Sequence, residues 1–139
     1  MRKSEILKLQ WDDVDFERGF IHVRNPKSGR DETIPLNEAA LRTLDSIAHD
    51  DTSPFVFPGR KPEQPLTDYK GIRRLAKAAG LPKGFRPLHG LRHVYASMLA
   101  SSGKVDLFTL QRLLTHKSPQ MTMRYTHLRD ESLRRAANV

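Results

Sequence analysis

Cysteine is absent from this chain of 139 residues, which excludes disulfide bridges and thiolate metal sites. Its absence also fits a reducing compartment, and we expect a cytoplasmic protein. No apolar run is long enough to cross a bilayer, so we expect no membrane partner. Hydrophobic residues nevertheless make up 37% of the chain, which is enough for a globular core at a one-domain length.

Acidic side chains are outnumbered by basic ones, 16 to 24, and the formal net charge is +8. Such an excess favours a polyanionic partner, with nucleic acid the leading candidate. A basic protein without such a partner would have the same charge. The composition alone therefore leaves both interpretations open.

Three short segments in the N-terminal half alternate apolar and polar residues, which predicts strands at residues 14–16, 20–23 and 33–36. Pro35 suits an edge strand, because proline cannot donate to a ladder. The turn-rich residues 25–30 separate the last two strands and place Lys27 near a hairpin tip. We predict a small antiparallel three-stranded sheet near the N-terminus.

Helical spacing and capping residues dominate the remainder, so the predicted fold class is α+β and mostly helical. Asn37, Thr67 and Asp106 are candidate N-caps, and Ser118 with the following proline predicts the start of a helix that includes Tyr125. Apolar faces are expected at Ile72, Leu75, Ala76 and Ala79 and at Leu91, Tyr95, Met98 and Leu99.

The helix after Thr67 is expected to have a basic face formed by Lys70, Arg73, Arg74 and Lys77. A contact with the DNA backbone and an ordinary solvated face explain this pattern about equally well. We name the four residues, together with Lys27, as candidate DNA-binding residues.

The first residues show helical spacing at Arg2, Ile6 and Leu9, and no N-cap residue precedes them. The chain is therefore expected to begin inside a helix. We interpret it as the C-terminal piece of a longer protein.

The C-terminal half contains a guanidinium, imidazoles and a phenol, in residues 89–93, residues 114–116 and Tyr125. Arginine binds phosphate, histidine transfers protons and tyrosine can act as a nucleophile. His89 and Arg92 stand three residues apart and share a helix face, although such a pair alone is more often without a role. The set predicts a phosphoryl-transfer site that needs no metal and no other cofactor.

His89 and His93 have the spacing of two zinc ligands on one helix. The glutamate of a metalloprotease is missing between them, and Arg92 would lie beside a dication. A histidine-metal hydrolase is therefore the least favoured function. We expect His93 to be a hydrogen-bonded packing residue without a direct role.

Three further candidates are ambiguous when each is taken alone. Tyr125, with an ordinary pKa of about 10, is a poor nucleophile without a base or nearby cations, and a lone tyrosine is usually a core or surface aromatic. Lys27 could protonate a leaving alkoxide, although a solvated turn lysine is the more common case. Arg2 could equally be an exposed arginine at a frayed end.

Five segments in order resemble the tyrosine recombinase (phage integrase) family. Residues 2–15 are similar to its first-arginine segment, residues 25–29 to its lysine-bearing hairpin, and residues 89–93 to its His-x-x-Arg box. His116 and Tyr125 match its third basic position and its nucleophile. The resemblance covers nearly the whole chain and departs from the family at Thr115, usually glycine, and at Gly90, often aspartate.

The resemblance implies a DNA breaking–rejoining catalytic domain that acts in site-specific recombination or integration of double-stranded DNA. Tyr125 would attack the scissile phosphodiester and form a 3′-phosphotyrosyl bond, which conserves the bond energy, so that no ATP is needed. Arg2 and Arg92 would hold the non-bridging oxygens.

The remaining implied catalytic residues handle protons and the phosphate. His89 would accept or relay the tyrosine proton, His116 would hydrogen-bond a phosphate oxygen, and Lys27 would protonate the leaving 5′ oxygen. Members of the family act as tetramers on DNA.

The resemblance also implies that residues 1–139 form a catalytic domain that is incomplete at its N-terminus. Family members have further helices before the first arginine and usually a separate core-binding domain that clamps DNA. A catalytically inactive DNA-binding remnant of an integrase is therefore the alternative function.

Overall fold

The computed structural model describes residues 1–24, 31–49, 51–116, 118–128 and 137. The chain divides into two compact units, Arg2–Gly84 and Phe85–Val139. The predicted α+β class is confirmed, since a three-stranded antiparallel sheet accompanies the helices. Lys27 lies outside the described residues, so its position near a hairpin tip stays a prediction.

The sheet of the N-terminal unit consists of β1 (Val14–Asp15), β2 (Phe20–Val23) and β3 (Glu32–Pro35), in that order. Gly19, at φ 71°, closes the first hairpin, and its N–H donates to the carbonyl of Asp15 at 2.9 Å. The prediction of an edge position for Pro35 is confirmed, because β3 pairs only with β2 in this sheet. Buried residues alternate with exposed ones along β2, which places one face against the core.

The first two helices of this unit are α1 (Lys3–Leu7) and α2 (Glu38–Asp45). The Asn37 side chain accepts the N–H of Ala40 at 2.9 Å, which confirms the predicted cap of α2. Arg2 has an extended backbone and is the N-cap of α1. The expectation that the chain begins inside a helix is therefore wrong.

The third helix, α3, spans Lys70–Ala78, and its N-cap is Tyr69 rather than the predicted Thr67. Gly80, at φ 70°, follows the end of the helix, and its N–H donates to the carbonyl of Lys77 at 3.0 Å. The predicted burial of Leu75 is wrong, since this side chain is 70% exposed. The partly buried stripe of α3 passes through positions 72 and 76, and position 75 lies about 100° away from position 76 around the helix.

The C-terminal unit contains α4 (Pro87–Ser101), α5 (Leu107–Leu113) and α6 (Pro119–Met123). Its core is formed by small and large apolar residues together: Ala96, Ala100, Leu110, Leu114 and Tyr125. The predicted apolar face of α4 is mostly wrong, because Leu91 and Met98 are 60% and 65% exposed. The alanines, four residues apart on one face, form the buried stripe instead, since their small side chains leave room for the larger side chains of α5.

Local signals predict the starts of α5 and α6 correctly. The Asp106 side chain caps α5 by accepting the N–H of Thr109 at 2.8 Å, and α6 begins at the proline after Ser118. However, α6 ends at Met123, so the predicted inclusion of Tyr125 in this helix is wrong, and Tyr125 lies in the following turn. None of the described helices has the length and apolar character that a membrane span requires.

Candidate functional site

The N-terminal part of α4 places three candidate residues within two helical turns. Pro87 is a buried first residue of the helix, and His89, Arg92 and His93 follow on it. A Cβ atom at Gly90 would lie 2.2 Å from the ring of Phe85, so a side chain there would displace this aromatic ring. The absence of a side chain at Gly90 therefore leaves room for this ring.

Tyr125 belongs to the core of the C-terminal unit, and its hydroxyl forms a hydrogen bond to the imidazole of the partly buried His93. The hydroxyl oxygen is 2.5 Å from Nδ1 of His93, and the tyrosine is only 5% exposed. Burial raises the pKa of Tyr125, and the positive charges of Arg124 and Arg92 only partly oppose that effect. The phenol is therefore protonated at neutral pH.

The second nitrogen of His93 continues this contact toward the surface. Its Nε2 atom is 2.9 Å from Nε2 of His89, and the two rings meet edge to face at 83°. Burial lowers the pKa of His93, and the positive charges of His89, Arg124 and Arg92 lower it further. The result is a connected phenol–imidazole–imidazole chain that ends at an exposed histidine.

Arg92 connects α4 to the turn that follows α5. Its Nη2 atom donates a hydrogen bond to the carbonyl oxygen of Leu114. In this turn the N–H of Thr115 donates to Arg112 at 2.9 Å and that of His116 donates to Gln111 at 3.0 Å. This bonding is a Schellman motif, which usually has glycine at the residue with positive φ.

Thr115 is that residue, with φ 51°, and among the described residues it is the only one other than glycine with a positive φ. Glycine adopts this conformation without the steric cost that a β-branched side chain meets. A glycine at this position would adopt the turn without that cost, and threonine forms the same turn here.

His116 is oriented by the two helices on either side of it. Its Nδ1 atom is 2.8 Å from the hydroxyl of the buried Thr122 in α6, and its carbonyl accepts the side-chain amide of Gln111 at 3.2 Å. The carbonyl of Thr122 in turn accepts the N–H of Tyr125 at 2.9 Å. Arg92 therefore contacts the turn that contains His116, and His116 and Tyr125 both form hydrogen bonds to Thr122.

The C-terminal unit thus contains four of the six predicted catalytic residues, His89, Arg92, His116 and Tyr125. Sequence reasoning missed His93 as a partner of the hydroxyl. The spacing of four residues indicated that it shares a helix face with His89, but nothing local indicated a contact with a residue 32 positions later.

The other two predicted catalytic residues are not placed in this site. Arg2 belongs to the N-terminal unit, where its guanidinium pairs with the carboxylate of Glu5 at 2.8 Å. Lys27 lies outside the described residues. The roles of both stay predictions.

A histidine–carboxylate metal site is not seen in the part of the chain that the structure describes. No group of three or more His, Asp or Glu side chains in these residues is arranged to hold an ion. His89 and His93 contact each other without a third such side chain.

The predicted basic residues of α3 all have exposed side chains and stand at helical spacing on one face: Lys70, Arg73, Arg74 and Lys77. The guanidinium of Arg73 lies 5.5 Å from the centre of the Tyr69 ring, and the ammonium of Lys3 lies 4.6 Å from it. Lys70 pairs with Asp68 at 3.3 Å. The α3 face therefore presents several cations to solvent.

Comparison with known proteins gives a consistent set of relatives. A model described as the phage integrase family matches residues 1–132. Tyrosine recombinase XerA of Pyrococcus furiosus is 32% identical over 140 residues, which cover 98% of this chain and 49% of that protein. Tyrosine recombinase XerC of Xylella fastidiosa (strain M23) is 36% identical over 134 residues, with 92% and 44% covered.

Solved structures agree with these sequence relatives. A crystal structure of XerA recombinase superposes with a TM-score of 0.77 and 30% identity, covering 99% of this chain and 52% of that one. XerH site-specific recombinase, bound to a palindromic difH substrate in a post-cleavage complex, has a TM-score of 0.77 and 26% identity, with 100% and 42% covered. The chain spans about half the length of the curated relatives that it matches.

Proposed function

The chain belongs to the phage integrase family, and on that premise we propose that it cleaves and rejoins double-stranded DNA in site-specific recombination. The observation that supports this most directly is the hydrogen bond between the Tyr125 hydroxyl and His93. A nucleophilic hydroxyl needs partners that can take its proton, and the imidazole in contact with it lies on the helix that also holds His89 and Arg92.

The proposed reaction is a transesterification at a backbone phosphate. The oxygen of Tyr125 attacks phosphorus, a 3′-phosphotyrosyl bond forms, and the bond to the 5′ oxygen breaks. The 5′-hydroxyl of a partner strand reverses the step, so no ATP is consumed. Arg92 and Arg2 neutralise the non-bridging oxygens, and one such arginine is worth on the order of a thousandfold or more in phosphoryl transfer.

Proton transfers complete the proposed step. Because burial raises the pKa of Tyr125, its hydroxyl must lose a proton as it attacks. His89 is the proposed final acceptor, and His116 is proposed to donate a hydrogen bond to a phosphate oxygen. Lys27 is proposed to protonate the leaving 5′ oxygen.

DNA is the proposed partner of the α3 face. Its exposed cations stand at the spacing of one helical surface and suit contact with successive phosphates. Action as a tetramer on DNA is proposed for the whole protein. A catalytically inactive DNA-binding remnant remains the competing function.

A nicked suicide substrate tests the proposal. Cleavage beside the nick releases a short fragment with the free 5′-hydroxyl, and its loss prevents rejoining and traps any covalent adduct. Wild type should form an adduct that survives denaturation, and EDTA should not prevent its formation. Tyr125→Phe should form none while still binding the DNA. Tyr95→Phe, which changes the exposed tyrosine of α4, is the matched control and should react like wild type. Binding without any adduct from wild type would favour the inactive remnant.

A further inference from the structure

We propose that His93 transfers the proton of the Tyr125 hydroxyl to His89 during strand cleavage. This inference rests on the proposed function and adds a second imidazole to it. His93 then becomes a catalytic residue, because it contacts the reacting oxygen itself. The resemblance to known recombinases implies that His89 accepts or relays this proton, and it implies no role for His93.

The geometry supports a relay rather than direct transfer to His89. The imidazole 2.5 Å from the hydroxyl is that of His93, which uses its Nδ1 atom for this contact. Its Nε2 atom points the other way, to Nε2 of His89 at 2.9 Å. The two nitrogens of one ring thus bridge the phenol and the second histidine.

Solvent exposure increases along the three groups from Tyr125 to His89. Tyr125 is buried, His93 is partly buried, and His89 is exposed. A proton that leaves the phenol along this chain therefore moves from the core toward solvent. The positive charge that results rests on the best-hydrated of the three groups, where its solvation cost is smallest.

The relay requires a defined tautomer at each histidine. The O–H of Tyr125 donates to Nδ1 of His93, and the N–H at Nε2 of His93 donates to Nε2 of His89, which carries its own proton on Nδ1. As the tyrosine oxygen bonds to phosphorus, the phenol proton passes to Nδ1 of His93. The Nε2 proton of His93 passes to His89, which becomes an imidazolium, while the 5′ oxygen leaves with a proton from another donor.

The charges around His93 keep its imidazole neutral and able to accept a proton. His89 and Arg92 face it from α4, Arg124 faces it from the end of α6, and Tyr125 is its neutral partner. Burial and these cations lower its pKa, so the ring is neutral at physiological pH. A neutral imidazole has a lone pair for the phenol proton, whereas an imidazolium has none.

Nitrogen NMR of the histidine rings tests the relay without DNA. At neutral pH, His93 should carry its proton on Nε2 and His89 on Nδ1, with the signals assigned from His93→Asn and from His89→Gln. A proton on Nδ1 of His93 would make the phenol the acceptor, and the proposal would then be rejected.

Adduct formation on the suicide substrate tests the same relay in the reaction. His93→Asn keeps an oxygen acceptor near the position of Nδ1 but cannot take up a proton, so the adduct should form about 100-fold more slowly or worse. His93→Ala should be equally slow, and added imidazole should restore part of its rate. His127→Gln, a change of an exposed histidine, is the control and should leave the rate unchanged.

The outcomes separate this inference from the proposed function. A wild-type adduct together with a normal rate for His93→Asn means that His93 only positions Tyr125, which overturns the relay and leaves the recombinase proposal standing. An absent wild-type adduct rejects both, whatever tautomers are observed. A slow His93→Asn variant, imidazole rescue of His93→Ala and the expected tautomers together support the relay.

Discussion

The guanidinium of Arg92 donates a hydrogen bond to the carbonyl oxygen of Leu114, which joins α4 to the end of α5. Leu114 is 1% exposed, so its carbonyl group lies in a largely buried residue. Thr115 and His116 follow directly and form the turn at the end of α5. A residue proposed to bind phosphate therefore also helps to hold the turn of a second candidate residue.

Replacing Arg92 with alanine should lower the free energy of unfolding by about 1.5–3 kcal/mol, because a charged donor to the Leu114 carbonyl is lost. Urea denaturation measures this change. Arg112→Ala removes an exposed arginine from α5 and should change the stability much less. Equal effects of the two variants would show that the Arg92–Leu114 contact has no special role in stability.

Thr115→Gly should preserve the turn before His116. Glycine removes the steric cost of the left-handed conformation, about 1–2 kcal/mol. This gain is opposed by the larger backbone entropy that glycine loses on folding and by the lost packing of the threonine side chain. Thr115→Pro should be strongly destabilising, since proline fixes φ near −65° and removes the N–H that donates to Arg112. Thermal unfolding compares the two variants. A glycine variant as unstable as the proline variant would refute this account of the turn.

The burial of Tyr125 should make the protein less stable at alkaline pH. Its pKa is raised above the value of about 10 expected when unfolded, so the folded state holds this proton more tightly. This stability is fully present below pH 10 and is lost as the pH rises through the folded pKa. The free energy of unfolding of wild type should therefore fall relative to that of Tyr125→Phe above about pH 10.

Unfolding in urea at a series of pH values measures this shift. Absorbance at 295 nm gives the ionisation of Tyr125 directly, as the difference between wild type and Tyr125→Phe. A phenol that ionises below pH 10 in the folded protein would contradict the assignment of burial as the dominant influence.

Removing positive charge from the α3 face should weaken DNA binding and reduce its dependence on salt. Arg73→Ala and Lys77→Ala should each lower the slope of log affinity against log salt by about 1, if each side chain contacts one phosphate. Arg42→Ala, an exposed arginine on α2, is the matched control and should leave the slope unchanged. Fluorescence anisotropy at several salt concentrations gives the slopes, and identical slopes for all variants would exclude the α3 face as a DNA contact.

Local sequence signals predicted much of the fold, because the interactions that they report are themselves local. Asn37 and Asp106 each cap a helix within three residues, and the first predicted hairpin joins strands that are adjacent in sequence. The exposed Leu91 and Met98 were mispredicted because periodicity identifies an apolar face but not what packs against it. The alanine stripe that α4 buries has the weaker hydrophobic signal.

The residue types of the candidate site could be predicted from the sequence, but the contacts between its side chains could not. The types and order of His89, Arg92, His116 and Tyr125 indicated phosphoryl transfer. The contact of His93 with Tyr125 depends on how α4 packs against the turn after α6, and no spacing rule reports such packing. The backbone constraint at Thr115 was likewise visible in the sequence only as a departure from the family pattern.

Identification of the residue bonded to DNA tests the central claim most directly. The trapped adduct would be digested with protease and nuclease, and the nucleotide-bearing peptide sequenced by mass spectrometry. We expect the 3′-phosphoryl group on the oxygen of Tyr125. A nucleotide on Tyr69 or Tyr95, or a 3′ end without any attached peptide after cleavage, would contradict the account.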